Sequence, residues 1–229
     1  MGAEGAEPRP LCERLLVGMT GTIGIYDYLY YVEAFRGTVA RELRVIQTPT
    51  AARMIEPRIV STILRCDVWT DQWDDVAGVK VPHAELPAWA DMFIVMPATA
   101  NVLSAVARGD ASSLLPLSVL ASPRPVGFVP HMNPLMWRKP AMRRNARQLV
   151  EDGHVVLDPE TCGGEAQAMS DPDAPVFPAP GPEDVKRFLL QVAAASGIEV
   201  APGQLDGIEL PDVEAHRAAI REALPTAEG

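Results

Sequence analysis

Residues 81–137, VPHAELPAWADMFIVMPATANVLSAVARGDASSLLPLSVLASPRPVGFVPHMNPLMW, decide the fold of this chain. Two apolar runs within them, 92–96 and 126–129, each stop at a turn of proline, small and polar residues. Continuous apolar runs of this length are typical of strands that are buried in a parallel sheet. The carboxyl ends of such strands meet at one edge of an open α/β sheet, and ligands bind there. We therefore expect a ligand site at turns 97–101 and 130–133.

The N-terminal part of the chain alternates strands and helices in the same way. An apolar strand at 11–19 leads through the turn Thr-Gly-Thr-Ile-Gly at 20–24 into an amphipathic helix, and a strand at 43–47 stops at Thr-Pro-Thr, 48–50. Turns of this kind, between a strand and a helix, can present backbone N–H groups to an anion such as phosphate. A tight turn without a ligand is an equally good interpretation of 20–24 taken alone, because it matches neither the dinucleotide nor the Walker pattern.

Two segments between these parts are ambiguous. Residues 57–64 (PRIVSTIL) fit a strand or a helix. Residues 66–80 carry Trp69 and Trp73 among acidic residues, which indicates an exposed loop or the edge of a helix. Tryptophans in such a segment favour packing or subunit contacts, since the indole buries a large area at low entropic cost. We therefore expect both to be contact residues rather than site residues.

The C-terminal half contains fewer regular elements. One helix is predicted at 133–153, with its basic side chains on a solvated face, and a short strand follows at 154–157. The proline- and glycine-rich residues 158–182 lack periodicity, and loops of this length inside compact domains often act as lids. A second amphipathic helix is predicted at 183–196, because a proline precedes it and a glycine follows it.

Alternating strands and helices predict a parallel sheet that is covered by helices on both faces. The expected fold class is α/β, a Rossmann-like or flavodoxin-like three-layer sandwich in a single domain. Residues 11–200 form this domain in our interpretation. Residues 1–10 are expected to be a disordered lead-in, and residues 201–229 a C-terminal tail that carries one exposed helix.

Composition excludes several classes of function. A net charge of -10 over 229 residues offers no basic face for nucleic acid. No apolar run approaches the roughly 20 residues that a membrane-spanning helix needs, and the acidic N-terminus lacks the apolar segment of a signal peptide. The three cysteines, Cys12, Cys66 and Cys162, are too widely spaced for a disulfide framework or a metal site. A cytoplasmic protein without a metal is expected.

Three motifs in residues 81–137 resemble those of the homo-oligomeric flavin-containing cysteine decarboxylases. His83 lies in HAELPAWAD, which is similar to the HxEL…WAD of that family. Residues 97–101 (PATAN) resemble its PASAN-type turn. Residues 130–137 (PHMNPLMW) satisfy its PxMNxxMW pattern at every fixed position. The three matches occur in the family's order and at similar spacing.

Weaker matches extend the resemblance to about residues 13–190. The turn at 21–23 resembles the family's Gly-Ser-Ile/Val phosphate turn, and residues 48–55 (TPTAARMI) resemble its TPSAxxFI segment. There are also departures. Residues 112–115 are Ser-Ser-Leu-Leu where the family often has Asp-Asn-Leu-Leu, and His131 stands where a small residue is common.

The resemblance implies a role for each matched residue. His83 is the active-site base, Asn133 recognises the substrate carboxylate, and Met132 shapes the substrate pocket. Cys162 falls in the lid-like loop, where one branch of the family uses a cysteine as a proton donor; an incidental loop thiol is the other interpretation. The residues that lie along the flavin and its phosphate are Gly21, Thr22, Ile23, Thr48, Thr50, Pro97, Thr99, Ala100, Asn101 and His131.

The resemblance also implies the chemistry. A base takes the thiol proton of a cysteine while hydride moves from Cβ to the flavin, and the resulting thioaldehyde accepts the electrons released as CO2 leaves. Histidine suits the base, because its pKa lies near neutrality. FMN is the expected flavin, with FAD possible. The expected assembly is a homo-trimer or homo-dodecamer with the flavin at subunit contacts.

Three functions remain open from the sequence. The first is oxidative decarboxylation of the C-terminal cysteine of a ribosomally made precursor peptide to an aminoenethiol, as in lantibiotic maturation. The second is decarboxylation of a small cysteine-containing acid, phosphopantothenoylcysteine, in coenzyme A biosynthesis. The third is a flavin-binding regulatory subunit without activity. The intact His83 and Asn133 and the altered lid favour the first.

Overall fold

A six-stranded, all-parallel sheet forms the centre of the computed structural model, which describes residues 10–162, 179–206 and 208–212. The strands are β1 (Cys12–Met19), β2 (Ala40–Gln47), β3 (Asp67–Trp69), β4 (Met92–Ala98), β5 (Val126–Pro130) and β6 (Val155–Val156). Their order across the sheet is β3-β2-β1-β4-β5-β6. The order reverses between β1 and β4, and the crevice at such a switch point is where open α/β sheets bind ligands.

The helices cover both faces of this sheet. They are α1 (Ile25–Phe35), α2 (Pro49–Met54), α3 (Pro57–Leu64), α4 (Pro82–Trp89), α5 (Ala100–Ala107), α6 (Leu114–Leu120), α7 (Pro134–Trp137), α8 (Pro140–Glu151) and α9 (Pro182–Ala195). A short 3₁₀ helix, Pro159–Thr161, follows β6. Helices α1, α3 and α9 pack on one face of the sheet, and α4, α5, α6 and α8 pack on the other.

The central strand β4 shows why the apolar run folds this way. All of its residues are buried. Met92 and Ile94 face the helix layer of α1 and α9, whereas Phe93 and Val95 face the layer of α5 and α6. Successive side chains of a strand point to opposite faces, so a strand between two helix layers has to be apolar throughout. The three-layer α/β fold predicted from the sequence is therefore confirmed.

The region before α4 differs from the sequence prediction. Residues 67–69, expected in a loop or at a helix edge, form the edge strand β3, and Trp69 is completely buried. Three residues are too few to show a periodic pattern. Trp73, by contrast, is exposed. The polar segment that His83 opens is helical, as α4, and the ambiguous residues 57–64 form helix α3.

The prediction of a single helix at 133–153 is wrong, because the segment contains two helices. Two helices, α7 and α8, divide this segment, and Lys139 between them has extended backbone angles. The cause is Pro140, because proline disfavours helical angles in the residue before it and lacks the N–H that a continuous helix would use. Proline instead occupies the first turn of α8, where no intrahelical N–H is needed.

Some predictions fall largely outside the described residues. They concern the lead-in at 1–10, most of the lid-like loop at 158–182, and most of the tail at 201–229 with its helix. The domain limits at 11–200 also stay a prediction. Within the part of the chain that the structure describes, no helix is both long and apolar enough to cross a membrane.

Candidate active site

A cavity of about 490 Å³ opens at the carboxyl edge of the sheet, beside the switch point between β1 and β4. Five hydroxyl-bearing residues line it: Thr48, Thr50, Thr99, Ser112 and Ser113. Gly21, Pro49, Asn101, Val102, Ala105, Arg108, Asp110 and Pro116 complete its wall. The walls thus come from the turns after β1, β2 and β4 and from the α5–α6 connection.

Two of the hydroxyls cap the helices that begin at the cavity. Thr48 Oγ1 accepts a hydrogen bond from the N–H of Ala51 at 3.3 Å at the start of α2. Thr99 Oγ1 accepts one from the N–H of Val102 at 3.5 Å at the start of α5. Threonine at the N-cap position satisfies an N–H that lacks an intrahelical partner, which explains why both strands end at this residue type. The start of α5 therefore presents the positive end of a helix dipole to the cavity.

The wall at Gly21 has no room for a side chain. A Cβ atom there would overlap the Thr50 side chain, and it would lie only 2.9 Å from the Thr50 carbonyl carbon. The absence of a Cβ thus lets the turn after β1 approach the turn after β2. Such close backbone approach is the usual reason for glycine at a phosphate-binding turn.

The α5–α6 connection adds charge to the cavity. Arg108 makes no salt bridge with any residue in the described ranges. Asp110 Oδ1 accepts a hydrogen bond from the N–H of Ser112 at 2.8 Å. Hydrogen bonding by Ser112 lowers the pKa of Asp110, and the nearby Arg108 lowers it further. One arginine therefore faces a cavity of hydroxyl groups with its charge available to an anion.

The turns after β1, β4 and β5 are tied to one another. The Thr20 hydroxyl donates to the carbonyl of Pro97 at 2.8 Å and accepts from the N–H of Thr99 at 3.1 Å. The His131 ring lies 2.6 Å from the Thr22 hydroxyl, measured from Nδ1 to Oγ1. These contacts hold three turns that are distant in sequence at fixed spacing.

His83 lies near the start of α4, which packs against α6 and β1. Helix α4 leads into β4, and a helix that precedes a parallel strand runs antiparallel to it, so His83 is at the carboxyl edge of the sheet. Its Nδ1 is buried and has no hydrogen-bond partner among the residues that the structure describes. His83 is not part of the cavity wall.

Asn133 begins α7 directly after β5. Its Oδ1 accepts a hydrogen bond from the N–H of Leu135 at 2.8 Å. At the other end of α7, Trp137 Nε1 donates to Asp158 Oδ1 at 3.1 Å. Arg143 stacks over the Trp137 ring at 5.2 Å and pairs with Asp158 at 3.2 Å. The tryptophan of the PxMNxxMW motif therefore anchors the helix that Asn133 caps.

The structure brings together about half of the predicted flavin-site residues. Gly21, Thr48, Thr50, Thr99 and Asn101 line the cavity. Thr22, Ile23, Pro97 and Ala100 lie beside these residues in the sequence but outside the wall, and His131 lies in the turn after β5, which does not contribute to it. Met132 is buried beside Asn133. Cys162 is buried, and its Sγ lies 3.7 Å from the carbonyl oxygen of Asp158.

Sequence reasoning missed the contribution of the α5–α6 connection. Arg108, Asp110, Ser112 and Ser113 face the cavity. The signal that could have found them is the departure at 112–115, because an unusual pair of serines after a site helix indicates an altered wall. Residues 10–162, 179–206 and 208–212 contain no group of three or more His, Cys, Asp or Glu side chains that could hold a metal ion. The sequence did not predict a metal site.

The cavity fits a cofactor that carries a phosphate. Hydroxyl groups, one arginine, the N-terminus of α5 and a glycine that allows close backbone approach are the groups that bind phosphate in proteins. The apolar part of its wall, Val102, Ala105 and Pro116, suits a ring system. Among the described lining residues, Asp110 carries the one negative charge, and its carboxylate already accepts a hydrogen bond from Ser112.

Comparisons with known proteins agree with this chemistry. Residues 9–174 match the family described as Flavoprotein. The mersacidin decarboxylase of a Bacillus species is 40% identical over 151 residues, which cover 64% of this chain and 74% of that protein. The structure of SpaF, described as an FMN-dependent cysteine decarboxylase, shares 32% identity at a TM-score of 0.66, covering 80% of this chain and 98% of SpaF.

A third relative is a longer protein, and this chain matches only part of it. The bifunctional coenzyme A biosynthesis protein CoaBC of Bacillus subtilis is 36% identical over 117 residues, which cover 51% of this chain. The match covers only 29% of CoaBC. The chain thus resembles one part of a larger protein in that case, whereas it spans nearly the whole of SpaF.

Proposed function

This chain belongs to the Flavoprotein family, and we propose from that membership and from its site that it oxidatively decarboxylates the C-terminal cysteine of a ribosomally made peptide. The similarity to mersacidin decarboxylase, over 74% of that protein, carries the proposal. The product is an aminoenethiol. We assign the reaction to residues 11–200, and a reducing, cytoplasmic compartment suits the three free thiols.

FMN is the cofactor, and the 490 Å³ cavity is its site. The hydroxyls of Thr48, Thr50 and Thr99 and the charge of Arg108 would hold its phosphate, with Gly21 allowing the close approach of the backbone. Thr22, Ile23, Pro97, Ala100, Asn101 and His131 would support the same turns. FMN, when bound, supplies the two-electron oxidant for the Cα–Cβ–SH unit of the substrate.

His83 would take the proton of the substrate thiol. His83 Nδ1 has no hydrogen-bond partner among the described residues, and histidine is the side chain that proteins use most often as a general base. Removing the thiol proton makes the sulfur electron-rich, and this assists the departure of hydride from Cβ. The same histidine can retain that proton while CO2 leaves.

Asn133 would orient the substrate carboxylate. An amide N–H can bond a carboxylate without a full ion pair, so the negative charge is not overstabilised before CO2 departs. Helix α7 holds Asn133 in place, through the anchoring of Trp137 by Asp158. Met132 is buried next to it and would shape the pocket for the cysteine side chain. Cys162, which is buried against Asp158, would contribute to substrate binding.

The test of function is mass spectrometry of peptides that end in cysteine, incubated with the flavin-loaded protein beside phosphopantothenoylcysteine. We expect the peptide to lose CO2 and two hydrogens. A matched peptide that ends in serine serves as the control, since it has no thiol to deprotonate. Turnover of phosphopantothenoylcysteine alone would assign the chain to coenzyme A synthesis instead. No turnover of either substrate, with FMN bound, would contradict the proposal and favour a regulatory role.

We also propose that the protein assembles as a homo-trimer or homo-dodecamer. His83 does not line the cavity of its own chain, and a neighbouring copy at a subunit contact would bring it to the substrate beside the flavin. Six large apolar side chains are exposed on and beside α1, α2 and α3: Ile23, Tyr26, Tyr30, Met54, Ile59 and Ile63. They lie on neighbouring elements, because α1 packs on α3 and the Tyr26 hydroxyl donates to the Met54 carbonyl at 3.3 Å. Clusters of this kind mark protein interfaces.

Replacing Tyr26 and Ile59 by aspartate should break this assembly, because two charges would have to be desolvated in an apolar contact. Light scattering after size-exclusion chromatography should show a monomer, while the wild-type protein shows a larger species. Val150→Asp on α8 is the matched control, since Val150 is equally exposed but belongs to another face. A wild-type monomer, or an unchanged mass for the double variant, would refute this interface.

A further inference from the structure

His131 contacts two turns other than its own. Its side chain is buried, with 1% of its surface exposed, at the end of β5. Its backbone N–H donates to the carbonyl of Ala98 at 2.9 Å, which ties it to the turn after β4. Its Nδ1 lies 2.6 Å from Thr22 Oγ1 and shares a hydrogen bond with it, which ties it to the turn after β1. One residue thus joins the turns after β1, β4 and β5.

The ring of His131 is held in one orientation. Gly24 leaves space for it, since a Cβ at that position would lie 2.6 Å from the ring carbon Cε1 and 2.7 Å from Nε2. Tyr28 packs against it edge to face, with ring centroids 5.2 Å apart. A ring that is confined on two sides and hydrogen-bonded to Thr22 cannot rotate without moving the turn at 20–24.

The two positions after His131 belong to the substrate part of the site in the proposed function. Met132 and Asn133 follow it directly, and Asn133 begins α7. Thr22 follows Gly21, which lines the cofactor cavity. His131 itself is not part of the cavity wall. Its effect on either ligand must therefore pass through its neighbours.

We propose that His131 is a positioning residue that links the FMN-binding turn at 20–24 to the substrate-binding turn at 130–133. This inference rests on the proposed function. When FMN orders the turn at 20–24, the Thr22–His131 contact holds Asn133 in the position that receives the substrate carboxylate. Since coupling between two sites is reciprocal, substrate should in turn tighten FMN binding.

The first test compares His131→Leu with His131→Asn. Leucine fills much of the ring's volume without a polar atom, whereas asparagine keeps an amide close to the position of Nδ1. We expect leucine to weaken FMN binding about tenfold, measured by quenching of flavin fluorescence, because a lost buried hydrogen bond is worth roughly a factor of ten. We expect the KM of the peptide to rise by a similar factor with kcat changed less. Asparagine should recover most of both losses.

The second test changes Thr22, the other partner of this hydrogen bond, which is only partly buried. Thr22→Val should weaken FMN binding and raise the peptide KM as His131→Leu does, and Thr22→Ser should behave like the wild-type protein. The double variant should be no worse than the worse single variant, since both changes remove one contact. His154→Leu is the control, because His154 accepts from Val126 at the opposite end of β5.

Additive effects in the double variant, or unchanged FMN affinity in both single variants, would overturn the proposal. So would a rise in the peptide KM for His154→Leu as large as for His131→Leu. Because FMN affinity is measured without turnover, the Thr22–His131 coupling can be judged separately from the reaction. A wild-type protein that binds FMN but leaves the peptide intact would contradict the proposed function. It would also contradict the claim that His131 positions Asn133 for the substrate. The effect of the Thr22–His131 contact on FMN affinity would still stand if it had been measured.

Discussion

Replacing His83 by asparagine is expected to lower the turnover of a peptide ending in cysteine about 10³-fold, because a positioned general base typically contributes 10² to 10⁴ in rate. Asparagine keeps a polar side chain of similar reach but cannot take a proton near neutral pH. The substrate thiol, with an ordinary pKa near 8.5, would then have to ionise without assistance. The measurement is the initial rate of CO2 loss, followed by mass spectrometry.

The binding of FMN should survive this substitution. His83 does not line the cavity that holds the cofactor, and its Nδ1 makes no hydrogen bond within the described residues that the change could break. The variant should therefore remain yellow, with an FMN dissociation constant close to that of the wild-type protein. A loss of activity with retained flavin separates a chemical role of His83 from a role in folding.

His154→Asn provides the matched control for this experiment. His154 is also a partly buried histidine, and burial lowers its pKa. Its Nδ1 accepts from the N–H of Val126 at the amino end of β5, away from the carboxyl edge. This variant should keep nearly full turnover. If His83→Asn turned over the peptide at more than a tenth of the wild-type rate, the assignment of His83 as the base would be refuted.

The fold could be predicted from the sequence because its strongest signals are local. The run at 92–96 is apolar at every position, and only a strand between two helix layers requires that. The prolines that begin α2 and α9 mark helix starts for a reason that does not depend on distant contacts. The edge strand β3 could not be predicted, because it is stabilised by pairing with β2 and by burial of Trp69, and both are tertiary effects.

The sequence predicted which turns form the candidate site, but not which side chains of those turns face the cavity. The sequence indicates that residues 20–24, 48–50 and 97–101 meet at one edge, because parallel strands end on the same side. It does not indicate which members of a turn face the cavity. Gly21 lines it, whereas the hydroxyl of the adjacent Thr22 bonds to His131, 109 positions along the chain. The role of Arg108 was missed for the same reason, since a lone arginine after a helix has no local signature.

Replacing Gly21 by valine is expected to weaken the binding of FMN strongly, whereas the His83 substitution acts on the chemical step. Gly21 does not have a positive φ, so the penalty is one of space rather than of backbone strain. A Cβ would overlap the side chain of Thr50 and crowd its backbone carbon at 2.9 Å. Because main chain cannot move aside as a flexible side chain does, the turn at 20–24 has to shift away from the turn at 48–50.

That shift would open the cofactor site at the place where two of its turns meet. Forcing extra atoms into a packed region typically costs about 1 to 3 kcal/mol, and each 1.4 kcal/mol is tenfold in affinity. We therefore expect FMN to bind about 10- to 100-fold more weakly to Gly21→Val, with Gly21→Ala at the lower end of this range. Titration of the apoprotein with FMN, followed by fluorescence quenching, measures the change.

Gly181→Ala is the matched control for Gly21→Ala, because among the described residues its added Cβ would meet only Asp184 Oδ2, at the ordinary contact distance of 3.9 Å. It should bind FMN as tightly as the wild-type protein. Thermal unfolding of the apoproteins shows whether Gly21→Val also disturbs the fold: an unchanged midpoint with weakened FMN binding places the damage at the cofactor turn. Wild-type FMN affinity in Gly21→Val would mean that the cofactor does not depend on the approach of these two turns, and the cavity would lose its assignment as the flavin site.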